Sequence, residues 1–377
     1  MTACGMRGKS MTGYQVFRNT LIVLATIAAA YMFVLTINVW IVLFIAILIA
    51  SAVRPAIMRL KRAGLSQSLS ILIVYGGLAI IVVTLLLLVL PPVINQFAGY
   101  LQNDDRLANR LIIARSWLER FLTEATGNPV DFGLPAEEIR AAVADFIQNI
   151  RVTAPDMLDD VSGFVGEFVL IIVMGIYWVT SRDRAENFLI SLIPLSRQQQ
   201  ARAMLEEIEV GQGAYVRGLV LVSSICGLLA FIALFLLRVP NAATISFLYA
   251  LATSVPIVGG VIGVAIATVL ALLSSPASAV TVLIVTVLLQ QFENYVLSPR
   301  IMSASSDFDE ILVIVFIALG FALNGVTGAL IAIPLARTFA ILAKHLILEP
   351  RKAKVVPLRV EGGVLLSPAI NDSAEEA

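Results

Sequence analysis

At 377 residues, 59% hydrophobic and only 14% charged, the chain departs from globular domains, which run about 45–50% apolar and about 25% charged. Mean hydropathy is +0.93, and several runs exceed the roughly 18 apolar residues that mark a bilayer-spanning helix. The composition reads as an all-α, multi-pass helical membrane protein, and the zero formal net charge points to no nucleic-acid partner. Continuous apolar runs also exclude a β-barrel, whose strands alternate apolar and polar residues.

Arg7, Lys9 and Arg18 precede the first apolar run, Thr20 to Ser51, and Arg54, Arg59, Lys61 and Arg62 follow it. Basic loops favour the cytoplasm, so both flanks inside require two crossings, with Asn38 near the outer turn and Arg54-Pro55 ending the second span. The run continues far beyond the 7–15 residues of a signal-peptide core, so it reads as an uncleaved hairpin. Ala3-Cys4-Gly5-Met6-Arg7-Gly8-Lys9-Ser10 fits a relaxed phosphate-loop pattern. No strand precedes it and a membrane span follows, so a basic tail is the better reading.

Ser68 to Leu90 makes a third span, closed by Pro91-Pro92. Residues 92–161 then turn charged and are punctuated by Gly127-Asn128-Pro129, Gly133 and Pro135. Leu107, Leu111, Ile112, Trp117, Leu118 and Phe121 recur near helical spacing there, predicting an extracytoplasmic insertion of amphipathic helices. Within residues 162–217, Gly163 to Thr180 forms span four, with Tyr177-Trp178 suited to the interface. A charged amphipathic segment follows, restarted after Ser196 as an N-cap and expected to lie on the cytoplasmic face.

Residues 218–345 hold spans five to eight, the expected transport core, after spans one to three in residues 1–91. Span six, Asn241 to about Leu273, is longer than a crossing needs and is broken at Pro256-Ile257-Val258-Gly259-Gly260. Such breaks free backbone groups for a substrate or ion, while Gly259 and Gly263 also form a GxxxG packing pair. The last span carries Gly320, Asn324, Gly325 and Gly328 before Pro334. Arg337, Lys344, Arg351, Lys352 and Lys354 put the C-terminus inside, and residues 346–377 read as a cytoplasmic, disordered tail.

Span seven ends in the most polar stretch of the apolar core, Gln290-Gln291-Phe292-Glu293-Asn294-Tyr295-Val296-Leu297-Ser298-Pro299-Arg300. A charge at mid-bilayer costs about 2.5–3.5 kcal/mol even on lenient scales, so intramembrane acids face protein or water. Helical spacing puts Gln290, Glu293 and Asn294 on one face. Glu293 is the candidate proton carrier. Gln290, Asn294 and Ser298 are candidate hydrogen-bonding groups for a small polar solute, and Arg300 and Arg217 candidate partners for Glu293 or for an anion. In an eight-span count the stretch falls near the outer end of its span. A stabilised helix end, with Glu293 in a structural ion pair, is the competing reading. No cofactor or metal is expected. The single histidine, His345, builds no metal site alone, and Cys4 and Cys226 give no disulfide framework. No nucleophile–base pair groups in the sequence, so no enzyme is expected.

Tyr177-Trp178 with Arg182-Asp183, Tyr215-Val216-Arg217-Gly218 and Val255-Pro256-Ile257-Val258-Gly259-Gly260 occur in order. Further along come Glu293-Asn294-Tyr295-Val296-Leu297-Ser298-Pro299-Arg300-Ile301-Met302, Gly325-Val326-Thr327-Gly328 and Ile333-Pro334-Leu335. This ordered series resembles the autoinducer-2 exporter family, also called PerM-type permeases. The resemblance implies a bacterial inner-membrane permease of about eight helices, both termini cytoplasmic, assembled as a homo-oligomer. Relatives are linked to autoinducer-2 export, and some to sodium or lithium exchange against protons. Asp307-Phe308-Asp309-Glu310 departs from the family's hydrophobic-His-Pro element, Asn324 from an apolar position, and Leu219 from a common glutamine. Three functions stand as expectations: export of a small polar solute, cation/proton antiport, or a non-transporting scaffold acting through residues 92–161.

Overall fold

The computed structural model describes residues 13–101, 104–255, 258–302, 310–348, 360–361 and 364–365. Apart from a two-residue antiparallel pairing of Val360–Glu361 with Val364–Leu365, these residues are helical or linkers between helices. Seven helices are long and apolar enough to cross a membrane, and two shorter apolar helices lie among them. The phosphate-loop-like tail, Pro256, the Asp307-Phe308-Asp309 departure and most of the C-terminal tail fall outside the described residues.

α1 (Gly13–Leu35) and α2 (Ile37–Arg62) are separated by Thr36 alone. Helical hydrogen bonding continues through it, from the Thr36 N–H to the Met32 carbonyl and from the Trp40 N–H to the Thr36 carbonyl. The first apolar run is therefore a bent helix rather than the tight hairpin expected around Asn38, and α1 is exposed along its apolar length. Nor does Pro55 end α2, which runs on to Arg62. Proline at 55 leaves the Ser51 carbonyl without its helical donor; Arg217 supplies one, its guanidinium reaching the Ser51 and Ala52 carbonyls at 3.3 and 3.2 Å.

α3 (Gln67–Leu101) likewise continues through Pro91-Pro92. α4 (Asp104–Thr126) and the first half of α5 (Ala136–Ser191) form the amphipathic insertion, closed around Ala108, Val143 and Ile147. α5 then runs on unbroken into its membrane stretch. Ser196 lies in a short 3₁₀ turn and caps nothing. α6 (Gln198–Leu236) rises directly from the charged segment into the membrane, so that segment is the foot of a spanning helix rather than a helix lying flat.

The loop from α4 to α5 is tied by Asp131, whose carboxylate accepts from the Gly133 N–H at 2.8 Å and from Arg115 at 3.1 Å. The Gly133 bond first, and then the Arg115 guanidinium, hold this carboxyl below its ordinary value of 3.8 against some desolvation. A depressed carboxyl stabilises the fold above its unfolded pKa, and that stabilisation is lost as pH falls through the folded value. Acidification below about pH 4 is therefore expected to lower the protection factor of the Gly133 amide, its exchange rate taken relative to the intrinsic rate at each pH. Asp131→Asn should remove that pH dependence, which exchange mass spectrometry at stepped pH reads.

Two of the apolar segments fold as hairpins. α7 (Ala242–Thr253) and α8 (Gly259–Leu272) are too short to cross alone, at about 18 and 21 Å. They pack side by side: a Cβ on Gly263 would lie 3.1 Å from the Tyr249 ring and 3.2 Å from the Ala252 Cβ. The last segment, α11 (Glu310–Ala343), leaves helical geometry at Asn324 and Gly325, the latter at φ +51° and ψ −139°. In a straight helix Gly320 and Ala332 would stand about 18 Å apart; here a Cβ on Gly320 would lie 3.2 Å from that of Ala332 and against the Gly328 carbonyl. Residues 310–323 and 326–343 are thus antiparallel arms, and Gly325 makes the reversal in a conformation that disfavours side chains. The Asn324 amide at its tip donates to the Asn38 Oδ1 of α2 at 2.8 Å.

The α7–α8 hairpin turns the chain back, and this sets the direction of the next helix. α9 (Pro276–Phe292) starts on the side of α4, where Arg110 donates to the Ser274 carbonyl at 2.9 Å. It continues through a π-helical turn, Glu293–Leu297, into α10 (Ser298–Met302). Ile301 and Met302 lie against Gly218 of α6, at the level of Arg217 and Ser51. The polar stretch therefore sits toward the side bearing Arg54, Arg59, Lys61 and Arg62, not toward the α4 side where an eight-crossing count would put it.

Candidate functional site

α6 is the axis of the site. At its foot Glu209 pairs with Arg54 at 3.1 Å and Arg182 at 2.6 Å; Arg182 also meets Glu186 at 3.2 Å, which takes Arg202 at 3.2 Å. This network locks α2, α5 and α6 together on the basic side. Glu207 does the same for the end of α11, receiving Lys344 at 3.1 Å and approaching His345 at 2.7 Å.

One turn higher, Gln212 is buried and donates to the Pro334 carbonyl and the Thr338 hydroxyl, both at 2.6 Å. Pro334 is itself fully buried. Higher still, Cys226 is fully buried, and its thiol approaches Glu293 Oε2 at 3.7 Å. Glu293 is half-buried, and no arginine or lysine pairs with it among the described residues. Tyr249 of α7, fully buried, donates to the Thr286 carbonyl of α9 at 3.3 Å. A Cβ on Gly260 would strike the Gln290 amide, so the start of α8 and the hairpin tip rest on Gln290, one turn before Glu293.

The structure thus brings Glu293 and Gln290 together with the hairpin tip, Cys226 and Tyr249. It separates other members of the candidate set. Asn294 is exposed, because the α-helical register that would align it with Gln290 and Glu293 gives way at Glu293 to wider π-helical winding. Ser298 is half-buried, while Pro299 and Arg300 are exposed. Arg217 serves the carbonyls of α2 rather than Glu293, and Asn324 serves the tip of the other hairpin, beside Gly325. Gly259 and Gly263 face α7, and Gly328 faces Gly320. Cys226, Tyr249 and Gln212 carry weaker sequence signals. A lone thiol or tyrosine in an apolar run looks like core, and Gln212 lies between two glycines in a charged segment.

Arg217→Ala is expected to cost about 1 kcal/mol of stability, the net worth of the bonds it removes from α2. Arg217→Lys should recover part of it, with thermal unfolding in detergent as the readout.

A half-buried carboxylate inside a bundle of apolar helices, faced by a broken helical hairpin, defines a multi-pass membrane protein with the architecture of a permease. The description "AI-2E family transporter" matches residues 21–347, and the chain belongs to that family. It is similar to "Putative transport protein YueF" of Bacillus subtilis (strain 168), 23% identical over 201 residues, 52% of this chain and 54% of that one. It is also similar to "Putative transport protein YrrI" of the same organism, 26% identical over 154 residues, 41% of this chain and 44% of that one. The chain spans about half the length of the curated relatives it matches.

Proposed function

We propose that the protein is a secondary permease of the bacterial inner membrane, with its basic side cytoplasmic, that exports a small polar solute of the autoinducer-2 kind. Glu293, Gln290 and the α7–α8 tip form the binding place. The observation that carries this reading is the seating of the glycine-bearing hairpin tip on Gln290, one turn from Glu293. The helix ends at Ser254, Val255 and Val258, opposite an acid with no ion-pair partner among the described residues, offer backbone donors and acceptors together with a proton-bearing group, the combination secondary transporters use at their binding sites. The positive end of the α8 dipole also points at that place, which favours oxygen-rich ligands.

Solute efflux from proteoliposomes under an imposed proton gradient tests it. Gradient-dependent efflux that Glu293→Gln removes supports the reading. A sodium- or lithium-driven pH change in everted vesicles, lost in the same variant, supports antiport by this acid and would displace solute export. Absence of gradient-dependent efflux by the wild-type protein, with loss of its function in cells on deleting residues 92–161, supports the non-transporting scaffold reading.

A further inference from the structure

Four polar residues line one face of α6: Gln212, Tyr215, Ser223 and Cys226. At 100° per residue they fall within an arc of about 80°, and they cover about 21 Å of helix. All four are more than nine-tenths buried. The Gln212 Oε1, the Tyr215 hydroxyl and the Ser223 hydroxyl are enclosed, yet none has a hydrogen-bond partner among the described residues. The fourth, the Cys226 thiol, reaches Glu293. Ser246, across from this face on α7 beside Gly227, carries a further enclosed hydroxyl without a partner.

Buried polar atoms in proteins are satisfied by protein or by ordered water. A single orphan is a local accident of packing. Here the orphans succeed one another along a single helical face, which meets a carboxylate at one end and, three residues below Gln212, the Glu209 ion-pair network at the other. Bilayer-facing residues of the same helix show the contrast, since Leu221 and Leu228 on the opposite face are apolar and 50% and 59% exposed.

From this geometry we propose that the inner face of α6 carries a file of water linking Glu293 to the basic side of the membrane, the route by which protons reach and leave that carboxylate. Gln212, Tyr215 and Ser223 are its lining. Along the axis Gln212 and Tyr215, and Ser223 and Cys226, stand about 4.5 Å apart, with about 12 Å between the two pairs, and a water needs two to four polar partners to stay in an otherwise apolar interior. The inference rests on the reading of Glu293 as the working acid, but the path itself is testable without it.

The test uses silver ion, a thiol-specific probe of about the size of water, on single-cysteine variants in a Cys4→Ser, Cys226→Ser background in sealed proteoliposomes. Ser223→Cys, Tyr215→Cys and Ser246→Cys probe the path; Leu221→Cys and Leu228→Cys probe the opposite face. Lys61→Cys and Glu124→Cys report which side faces the bath. Free thiols left after exposure are counted with a fluorescent maleimide in denaturant, and thermal unfolding confirms that each variant is folded. The path variants are expected to be blocked at least about tenfold faster than the Leu221 and Leu228 variants, because thiol chemistry runs through the solvated thiolate, and only with silver on the basic side. Equal rates on both faces, protection of every folded path variant, or access only from the α4 side overturns the proposal. If the path variants react but Glu293→Gln transports normally, the water file stands and the role of Glu293 falls. If they do not react while Glu293→Gln is inactive, the reverse holds.

Discussion

Glu293→Gln is expected to lower gradient-driven solute flux by at least about tenfold, equivalent to about 1.4 kcal/mol on the rate-limiting barrier, while thermal stability stays within about 0.5 kcal/mol of wild type. The two halves of this expectation come from the same geometry. Glutamine keeps the shape of the side chain and its hydrogen-bonding reach, and the one side-chain hydrogen bond it inherits among the described residues is the 3.7 Å approach of the Cys226 thiol. No ion pair among the described residues is broken by the change, so little structural energy is at stake. A carboxylate held for structure would behave in the opposite way. Removing one partner of a buried ion pair costs about 3–5 kcal/mol, and activity would then fall only as far as folding did. Measuring flux and unfolding on the same preparation separates the two. A variant that unfolds early and transports normally per folded molecule would return Glu293 to the role of a structural helix end.

The apolar segments were legible from hydropathy, because a bilayer demands long apolar runs and these leave a plain trace. Whether such a run crosses or turns back was not. An all-apolar helix has no buried and exposed faces to give it a period, so the run from Asn241 to Leu273 and the run from Ile311 to Ile333 read like single spans. Their breaks, at Pro256 to Gly260 and at Asn324-Gly325, were visible as weak points, but nothing local distinguishes a kink from a reversal. The cost of that ambiguity is global. One hairpin counted as a crossing inverts the direction of α9 and moves the polar stretch from one side of the membrane to the other.

Within the site, Glu293 and Gln290 stood out because polar groups in lipid are rare. Asn294 was misplaced because the face rule assumes an α-helical register that ends at Glu293. Arg217 was assigned an acidic partner by charge alone, whereas its actual partner is the pair of carbonyls at Ser51 and Ala52, next to a proline 162 positions earlier in the chain. Long-range service of backbone groups of this kind leaves no local pattern. Nor do the enclosed hydroxyls of α6, which look like ordinary small core residues until their neighbours are known.

Gly259→Ala is expected to be the most damaging single-methyl change in the α7–α8 hairpin, with both stability and transport lost. A Cβ at this position would overlap the carbonyl oxygen of Ala252 on the facing arm. That obstacle is backbone, which cannot rotate aside, so α7 and α8 must separate at their tip. Overpacking against a rigid neighbour costs about 1–3 kcal/mol or more. The neighbouring Gly263→Ala meets the Tyr249 ring at 3.1 Å and the Ala252 Cβ at 3.2 Å, a shift of a few tenths of an ångström, and should cost less. Gly260→Ala differs again: its obstacle is the flexible amide of Gln290, so it should leave stability nearly intact while disturbing the binding place. Three methyl groups within five residues therefore carry three signatures: unfolding with loss of flux at Gly259, mild destabilisation at Gly263, and lowered substrate affinity in a stable protein at Gly260. Thermal unfolding and concentration-dependent flux on the three variants read them out. If Gly260→Ala transports with unchanged affinity, the hairpin tip is a packing device and the binding place lies elsewhere along the face of α6. If Gly259→Ala keeps both its stability and its flux, the two arms are not held as closely as their backbone contact requires.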